Sequence, residues 1–309
     1  MSLTKEQILS VKKRGFLLNK NTDCFSGRVV GVGGVFSSED LKAISECAEK
    51  YGSSTVAFTS RLCAEIVGIH YDNIPLAEAF LKEHGLSFGG TGAKVRPITA
   101  CKGTTCVYGN IDTRALAKRI HQKFYLDYGS VALPHKFKIG IGGCPNSCMK
   151  PSLNDVGIEG RLSFTLDSSK CRSCKVCSLA KACPMDAVEL KEKAVINKNK
   201  CINCGVCTNK CPFGAVIDIT PLCAVFVGGT WGKKRRMGTM LSRLVSEEEA
   251  ITTLEKVFLW YRLHGYSKER LGSTVDRLGT ELLEEELSDD RLLKARDEIL
   301  NMELLEKPQ

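Results

Sequence analysis

Two pairs of cysteines are the first residues in this 309-residue sequence whose types and spacing suggest chemistry. Three residues separate Cys144 from Cys148 in GGCPNSC, and four residues separate Cys101 from Cys106 in ACKGTTC. Four thiols from two loops can hold an iron–sulfur cluster or a structural zinc ion. Spacing alone does not choose between these two centres, although zinc sites usually show tighter pairs.

The later cysteine pair follows a predicted strand. Residues 136–141 alternate between polar and apolar side chains, which is typical of a strand with one buried face. Lys136 and Lys138 therefore project from the same face. Their ammonium groups repel each other unless an anion lies between them. The alternative interpretation is a solvent-facing edge strand protected by lysines.

A second set of cysteines forms an internal repeat within residues 163–220. A C-x2-C-x2-C triplet occurs twice, and each triplet is followed by Cys-Pro. Bacterial two-cluster ferredoxins have this pattern, and the fourth cysteine of each repeat ligates the other cluster. We therefore predict two [4Fe–4S] clusters, one on Cys171, Cys174, Cys177 and Cys211 and one on Cys201, Cys204, Cys207 and Cys183.

The segment GCPNSC followed by KPSLNDVGIEG resembles the siroheme and [4Fe–4S] signature of the sulfite and nitrite reductases. This resemblance implies that Cys101, Cys106, Cys144 and Cys148 hold a third [4Fe–4S] cluster. It also implies that Cys148 bridges to siroheme and that Asn146 lies beside the cofactor. The sequence departs from the family in one respect, because four residues rather than the usual five separate its first two cysteines.

The same resemblance implies an anion-binding site. Arg28, together with Arg61 in a TSR turn, matches the family's two arginines, and Lys136 and Lys138 match its KFK lysines. The segment GGTWGKKRRMG resembles the glycine-rich basic loop beside siroheme, so we expect Lys233, Lys234, Arg235 and Arg236 to bind the cofactor.

The composition fits this interpretation. The net charge is +9, which could indicate nucleic-acid binding, but siroheme carboxylates and a small anion substrate account for the charge without it. No apolar run is long enough to span a membrane, and the N-terminus lacks an apolar signal region, so we expect a cytoplasmic protein. The remaining cysteines show no spacing pattern and are expected to be buried structural residues: Cys24, Cys47, Cys63 and Cys223.

The hydrophobic periodicity predicts the elements that position these residues. Helices are expected at 5–13, 38–51, 74–84, 113–126, from a capping box at Ser246 to Gly265, and from Ser288 to about residue 305. Strands are expected at 28–32, 55–59 and 223–227. The resemblance to the sulfite and nitrite reductases implies an α+β fold class, with antiparallel sheets covered by helices and an inserted ferredoxin-like β-α-β-β-α-β module.

The predicted domains are a ferredoxin-like half at 1–70, a siroheme and [4Fe–4S] domain at 71–162 and 221–309, and the ferredoxin insert at 163–220. By resemblance, the chain is a compact sulfite reductase of dissimilatory or anaerobic type that takes electrons from a donor protein or subunit through the insert. Nitrite reduction and a non-catalytic electron-transfer or siroheme-handling role are the alternatives. Because longer family members build each site from two homologous halves, we predict that this one-half chain forms a homodimer.

Overall fold

The first sheet is antiparallel and lies at the N-terminal end of the chain. The structure is a computed structural model that describes residues 3–308. Four strands form this sheet in the order β1-β2-β4-β3: β1 (Phe16–Leu18), β2 (Cys24–Val29), β3 (Val56–Phe58) and β4 (Ala64–His70). Helices α1 (Lys5–Lys13), α2 (Ser38–Tyr51) and α3 (Ile74–Glu83) accompany them.

The first hydrophobic core extends beyond the predicted domain boundary at residue 70. Ile74, Ala77 and Leu81 of α3 are fully buried in the same cluster as Phe16 and Phe25 of the sheet. Helix α3 therefore belongs with the first sheet, because its apolar face is covered there. Within this cluster, helix α2 begins with a capping box at Ser37, one residue before the predicted Ser38.

The second sheet is mixed, which corrects the expectation of purely antiparallel sheets. The remaining strands are β5 (Thr99–Ala100), β6 (Ile139–Gly142), β7 (Val156–Leu166), β8 (Val188–Leu190), β9 (Ala194–Ile196), β10 (Val216–Val227) and β11 (Thr239–Met240). The sheet order is β11-β10-β7-β6-β5, and β5, β6 and β7 are parallel to one another. The carboxyl ends of β5 and β6 therefore lie at the same edge.

The antiparallel pairing of β7 with β10 joins the sheet to the insert. It runs from Val156 opposite Val227 to Leu166 opposite Val216, with one irregularity near Ile217. Strand β10 thus begins seven residues before the predicted strand at 223–227. The inserted module is therefore carried on the extended end of a hairpin that starts in the main core.

The insert contains one helix rather than two. Helix α5 (Ser178–Ala182) and the β8–β9 hairpin lie in the first half, whereas residues 206–210 of the second half form turns. Its small core includes Leu179, Val188 and Val216 together with the Cys207 side chain. The predicted β-α-β-β-α-β order is therefore wrong at its second helix. Turns stand in that position, next to the second cysteine triplet.

Helix α6 (Glu247–His264) lies at the centre of the second hydrophobic core. Phe258, Trp260 and Tyr261 are fully buried, and the predicted capping box at Ser246 and the end at Gly265 are both confirmed. The other helices around this core are α4 (Thr113–Ile120), α7 (Leu271–Leu278), α8 (Thr280–Leu287), α9 (Arg291–Lys294) and α10 (Arg296–Asn301). Within residues 3–308, none of the helices is both long and apolar enough to cross a bilayer.

Two helix predictions in this core are wrong. The α-helix predicted at 113–126 ends at Ile120 and continues as a π-helix (His121–Asp127), which buries the His121 side chain. The helix predicted from Ser288 is replaced by the short helices α9 and α10, because Ser288 ends α8. Three single 3-10 turns complete the described elements, at Tyr71–Asn73, Gly103–Thr105 and Pro151–Leu153.

Glu255 of α6 links these terminal helices to the π-helix through ion pairs and a hydrogen bond. Its carboxylate lies 2.5 Å from Lys123 Nζ and 2.9 Å from Arg296 Nε, and it accepts a hydrogen bond from the Tyr128 hydroxyl at 2.6 Å. Burial acts to raise the pKa of Glu255, but the hydrogen bonds from Lys123 and Tyr128 outweigh it and lower the pKa. The carboxylate is therefore charged and fully partnered within the core.

We expect Glu255→Gln to reduce the free energy of unfolding by about 2 kcal/mol, because two cations lose their shared carboxylate. Urea denaturation followed by circular dichroism measures this loss. Glu248→Gln is the control, since its pair with Arg119 is exposed and is worth less than about 1 kcal/mol. Equal losses in the two variants would contradict the structural role of Glu255.

Candidate functional site

The four cysteines of the two loops line one open cleft at the carboxyl edge of β5 and β6, and we name them the cleft quartet: Cys101, Cys106, Cys144 and Cys148. Cys101 follows β5, and Cys144 and Cys148 follow β6. The cleft has a volume of about 750 Å³, and its walls are mostly apolar. Val107 is 92% exposed at the rim, and Asn146 faces the same cleft.

The two loops that carry the cleft quartet approach each other closely at two glycines. A Cβ on Gly143 would lie 2.8 Å from Gly103 Cα, so neither position admits a side chain without movement. The Gly143 amide donates to Cys101 Sγ at 3.1 Å, which links the two loops at the thiols themselves. The Gly103–Thr105 turn contains three of the four residues between Cys101 and Cys106. The shortened loop therefore still brings its two cysteines to the cleft.

The eight cysteines of the insert divide into two cavities. One cavity is lined by Cys171, Cys174, Cys177 and Cys211, which we name the outer quartet. The other is lined by Cys183, Cys201, Cys204 and Cys207, which we name the inner quartet. The repeats thus exchange their fourth cysteines in space, as in two-cluster ferredoxins.

The names outer and inner follow the position of each quartet along β7. Gly160 contacts the Gly143 loop of the cleft, and Leu162 exchanges hydrogen bonds with Asn203 beside the inner quartet. Phe164 lines the inner cavity, and Leu166 lines the outer one. Six residues of strand separate Gly160 from Leu166, which corresponds to about 20 Å. The quartets therefore follow one another outward from the cleft.

The thiols in these sets are spread around cavities rather than gathered at one point. Over residues 3–308, no three or more His, Cys, Asp or Glu side chains converge on a position suited to a single metal ion. In a [4Fe–4S] cluster each thiolate binds a different iron, so its ligands surround a volume. The arrangement of four thiols around a cavity fits such a cluster. Burial raises the pKa of the Cys144 thiol, and charge on the other three cleft cysteines would raise it further.

A second group of functional side chains surrounds Asp155, which is fully buried. Arg270 contacts both oxygens of the Asp155 carboxylate at 2.7 and 2.8 Å, and the Lys138 amide donates to it at 2.8 Å. Six cations lie around this carboxylate, and we name them the cation cluster: Arg28, Arg61, Arg96, Lys136, Lys138 and Arg270. Within residues 3–308, Glu65 is the one other carboxylate that forms an ion pair with them, on Arg28, so the cluster has an excess of positive charge.

The two predicted arginines of this cluster are held by protein acceptors. Arg28 lies 3.1 Å from Glu65, its partner on the neighbouring strand β4. Arg61 donates to the carbonyls of Pro97 and Ile139 and to the side-chain oxygen of Asn154 at 2.6–3.1 Å. Burial lowers the pKa of Arg61 to about 10. Arg61 therefore fixes the geometry of the strands more directly than it offers donors to an anion.

The two predicted lysines differ, because neither ammonium group has an ion-pair partner within residues 3–308. Phe137 between them is fully buried, and Lys136 and Lys138 are half-buried on the opposite face, as the alternation predicted. Burial, together with the neighbouring positive charges of Arg61, Arg270 and Lys136, lowers the pKa of Lys138 to about 8. Burial and the charges of Arg270 and Arg96 lower the pKa of Lys136. Two desolvated, unpaired ammonium groups suit the binding of an anion.

Arg96 and Arg270 were not predicted from the sequence. Val95 forms a parallel bridge with Phe137, so Lys94 and Arg96 extend on the same face as the two lysines. The alternation of KVRP resembles that of HKFK, and this signal could have identified Arg96. Arg270, which precedes α7, comes from a distant part of the chain and had no local signal.

The basic loop is divided between two roles. Arg236 lies 2.9 Å from Asp276 and donates to several carbonyls of its own loop, so it is a structural residue. Lys233, Lys234 and Arg235 are exposed, and Arg235 covers the Trp231 ring at 5.0 Å. Lys150, two residues after Cys148, lies 6.0 Å from the same ring. The exposed part of the loop therefore borders the Cys148 side of the cleft.

The cation cluster and the cleft quartet lie at opposite ends of β6. Lys138 directly precedes this strand, and Cys144 follows it two residues after its end. A four-residue strand spans about 13 Å. Within the one chain, the structure thus separates the unpaired lysines from the cysteines.

The chain combines a mixed sheet that carries a cysteine cleft, a four-stranded N-terminal sheet and an insert with two cysteine quartets. These features define an iron–sulfur oxidoreductase. Two family models match the chain: the nitrite/sulfite reductase ferredoxin-like half domain over residues 18–84, and the nitrite and sulphite reductase 4Fe-4S domain over residues 91–294. The chain belongs to the nitrite and sulfite reductase family.

Similar proteins agree with this assignment. An uncharacterised protein of Methanocaldococcus jannaschii is 30% identical over 271 residues, which cover 88% of this chain and 93% of that protein. The coenzyme F420-dependent sulfite reductase of the same organism is 33% identical over 80% of this chain, but the match covers only 39% of that enzyme. The crystal structure of dissimilatory sulfite reductase I shares the fold, with a TM-score of 0.69 at 20% identity over 85% of this chain and 69% of that one.

The contrast between Arg61 and Lys138 gives a stability prediction. We expect Arg61→Met to reduce the free energy of unfolding by about 2 kcal/mol, because buried acceptors lose their donors. Lys138→Met should match or exceed wild-type stability at pH 7, because it removes a desolvated cation.

The effect of Lys138 should also depend on pH. Between pH 8 and the ordinary lysine pKa of 10.5, the unfolded chain binds the Lys138 proton more tightly than the folded chain, so wild-type stability gains from rising pH. The advantage of Lys138→Met should therefore shrink above pH 8. Thermal denaturation at pH 7, 8 and 9 tests this, with the exposed Lys94→Met as control.

The same measurement tests the Arg61 prediction. An unchanged melting temperature for Arg61→Met would refute the structural role of Arg61.

Proposed function

We propose that this protein is a siroheme- and iron–sulfur-dependent reductase that converts sulfite to sulfide. The observation that carries the proposal is the cleft quartet, whose four thiols face one open, mostly apolar cavity of about 750 Å³. The family assignment and the likeness to a sulfite reductase support the choice of substrate.

The residues at the cleft fit both cofactors by their donor chemistry. Four thiols are available to a [4Fe–4S] cluster, and Cys148 is the exposed one, suited to a shared thiolate. Siroheme carries carboxylates, and the border of the cleft offers cations for them: Lys102, Lys150, Lys233, Lys234 and Arg235. When bound, siroheme and its cluster would supply electrons to a coordinated anion.

The unpaired cations of the cluster hold and orient the substrate. Within the described residues Lys136 and Lys138 have no acidic partner, so their ammonium groups are available to sulfite oxygens. Arg96 also has no acidic partner there, and it donates to the Gly90 carbonyl through Nη1, which leaves its other donors for the anion. Such preorganised donors stabilise negative charge as it develops. Because burial and neighbouring cations lower the pKa of Lys138 to about 8, its ammonium group can also transfer a proton near neutral pH. Arg61 keeps the strands that carry these groups in place.

Electrons are proposed to arrive from a donor protein or subunit at the outer quartet and to pass through the inner quartet to the cleft. The order of the quartets along β7 supports this direction, and Cys174 of the outer quartet is exposed. With one [4Fe–4S] cluster on each quartet, the chain would hold about twelve cluster irons. The unpaired cations favour an enzyme over a non-catalytic electron carrier, because a carrier has no need of an anion site.

Nitrite is the second candidate substrate. The matching family model includes nitrite reductases, and nitrite is also a small anion that the same lysines could bind. Steady-state reduction of sulfite and of nitrite by the anaerobically purified protein, compared as kcat/KM, decides between them. Turnover of neither anion by protein that contains siroheme would leave the electron-transfer interpretation.

The cofactor assignment predicts separable losses. Cys204→Ser should remove one insert cluster and spare siroheme absorption, because Cys204 lies in the inner quartet. Cys148→Ser should abolish turnover with any electron donor, because it removes the thiolate shared by cluster and siroheme. Iron analysis, visible spectra and activity measure these effects. Loss of siroheme absorption from folded Cys204→Ser protein, or near-normal activity of Cys148→Ser protein, would contradict the assignment.

We further propose that the active form is a two-fold homodimer. The unpaired lysines and the cleft quartet lie at opposite ends of β6, so one chain does not bring its own lysines over its own cysteines. In an isologous dimer the same two surfaces meet twice, once in each direction. Each site would then combine the cleft quartet of one subunit with Lys136, Lys138 and Arg96 of the other.

Complementation tests this assembly. Cys148→Ser and Lys138→Met chains should each be inactive, but a heterodimer of the two contains one site with both intact sets. That site should restore up to about half of the wild-type activity per dimer. Differently tagged chains, purified sequentially, isolate the heterodimer. A heterodimer that assembles and stays inactive would show that each site is built within one chain.

A further inference from the structure

We propose that Asn110 is the electron-transfer bridge between the inner quartet and the cleft quartet. Its backbone amide donates to the Gly143 carbonyl at 2.8 Å, next to Cys144 of the cleft. Its side-chain Nδ2 donates to the Cys204 carbonyl at 3.3 Å, within the inner quartet. Among residues 3–308, it alone hydrogen-bonds directly to both cysteine loops. This inference rests on the proposed function.

The position of Asn110 is fixed by its neighbours along the chain. Just before it, the Gly109 amide donates to the Cys106 carbonyl at 2.9 Å, and just after it, Ile111 is buried. Asp112 then caps helix α4 by accepting from the Arg114 and Ala115 amides. Nδ2 also donates to the Gly160 carbonyl of β7 at 3.4 Å. The side-chain amide of Asn110 is therefore held by hydrogen bonds to two carbonyls. The bridge between the quartets requires no rearrangement of the chain.

The contacts give the shortest bonded connection between the two quartets. Electronic coupling decreases steeply across empty space and is better preserved along covalent bonds and hydrogen bonds. From Cys204 to Cys144 the route crosses only two hydrogen bonds, one at each end of Asn110. Arg161 contacts both the Ile202 carbonyl and Glu159, and this second connection from the inner quartet is longer, because it runs through two extended side chains.

The transfer at this bridge is a single-electron step. One electron leaves a reduced [4Fe–4S] cluster on the inner quartet and reduces an oxidised cluster on the cleft quartet. No bond forms or breaks, and no proton crosses, because both Asn110 groups remain hydrogen-bond donors throughout. The electron comes from the donor protein of the proposed function, or from dithionite in the test.

The test measures the rate at which the reduced clusters of the insert are reoxidised, which we call the discharge rate. The holoprotein is reduced with dithionite, freed of reductant, mixed with sulfite and freeze-quenched, and the EPR signals of the insert clusters are followed. We expect Asn110→Ala to slow their reoxidation about tenfold or more, the scale typical of losing a hydrogen-bond partner next to metal ligands. Asn110→Asp keeps the size of the side chain but removes both Nδ2 donors, and it should slow the step similarly.

A second measurement separates a bridge from a spacer. Magnetic relaxation of the cleft cluster by a reduced inner cluster depends on their distance, and it should stay at the wild-type value in both Asn110 variants. Asn197→Ala is the matched control, because its side-chain amide donates to Glu189 within the insert and does not reach the cleft. It should discharge at the wild-type rate.

Three results would overturn the inference. These are wild-type discharge rates in both Asn110 variants, equal slowing in Asn197→Ala, and slowing accompanied by altered relaxation, which would make Asn110 a spacer. If Asn110→Ala does not fold, Asn110→Asp alone decides. The proposed function is tested separately, because wild-type protein that lacks three clusters or leaves sulfite unreduced would refute that function whatever the Asn110 variants do.

Discussion

The pairing of β7 with β10 is the constraint on which the rest of the structure depends. This one antiparallel ladder begins in the main core at Val156 and Val227 and ends in the insert at Leu166 and Val216. The end of the ladder in the main core pairs with β6, which leads to the cleft quartet. The end of the ladder in the insert carries both quartets of the insert. A strand advances by a fixed distance per residue, so the ladder sets the spacing of the three cysteine sets without a flexible linker.

The second constraint is the charge around Asp155. A buried carboxylate needs partners, and Arg270 together with the Lys138 amide supplies them. One carboxylate cannot neutralise the cations gathered around it, and burial together with the remaining positive charge lowers the pKa of Lys138. In the proposed function, an anion that enters this environment would relieve the repulsion. Arg28 and Arg61 bind protein acceptors, whereas the ammonium groups of Lys136 and Lys138 have no ion-pair partner within residues 3–308.

Local sequence signals predicted the parts of the site that are built locally. The cysteine spacings led to three sets that the structure gathers into three cavities, and the alternation around Phe137 placed Lys136 and Lys138 on one face. Features that depend on distant packing were missed. The carbonyls that occupy Arg61 belong to other strands, Arg270 reaches Asp155 from 115 residues away, and the second triplet of the insert replaces a helix with turns. The capping box at Ser246 was correct because its partners are three residues apart, whereas the helix at Ser288 failed because packing against α6 divides that segment.

The separation of cations from cysteines gives the two ends of β6 different chemical roles. The carboxyl end meets the cleft and, through Asn110, the insert, so the proposed function places electron delivery there. The amino end meets Asp155 and the arginines, so the proposed function places anion binding there. A reductase needs both at one point, and a strand cannot bend its two ends together. In the proposed homodimer, a second copy of the chain related by two-fold symmetry would supply the missing end without any new element, because each surface already exists once per chain. The geometry of one short strand is therefore the physical reason for proposing that a chain that carries both sets of residues needs a partner to complete each site.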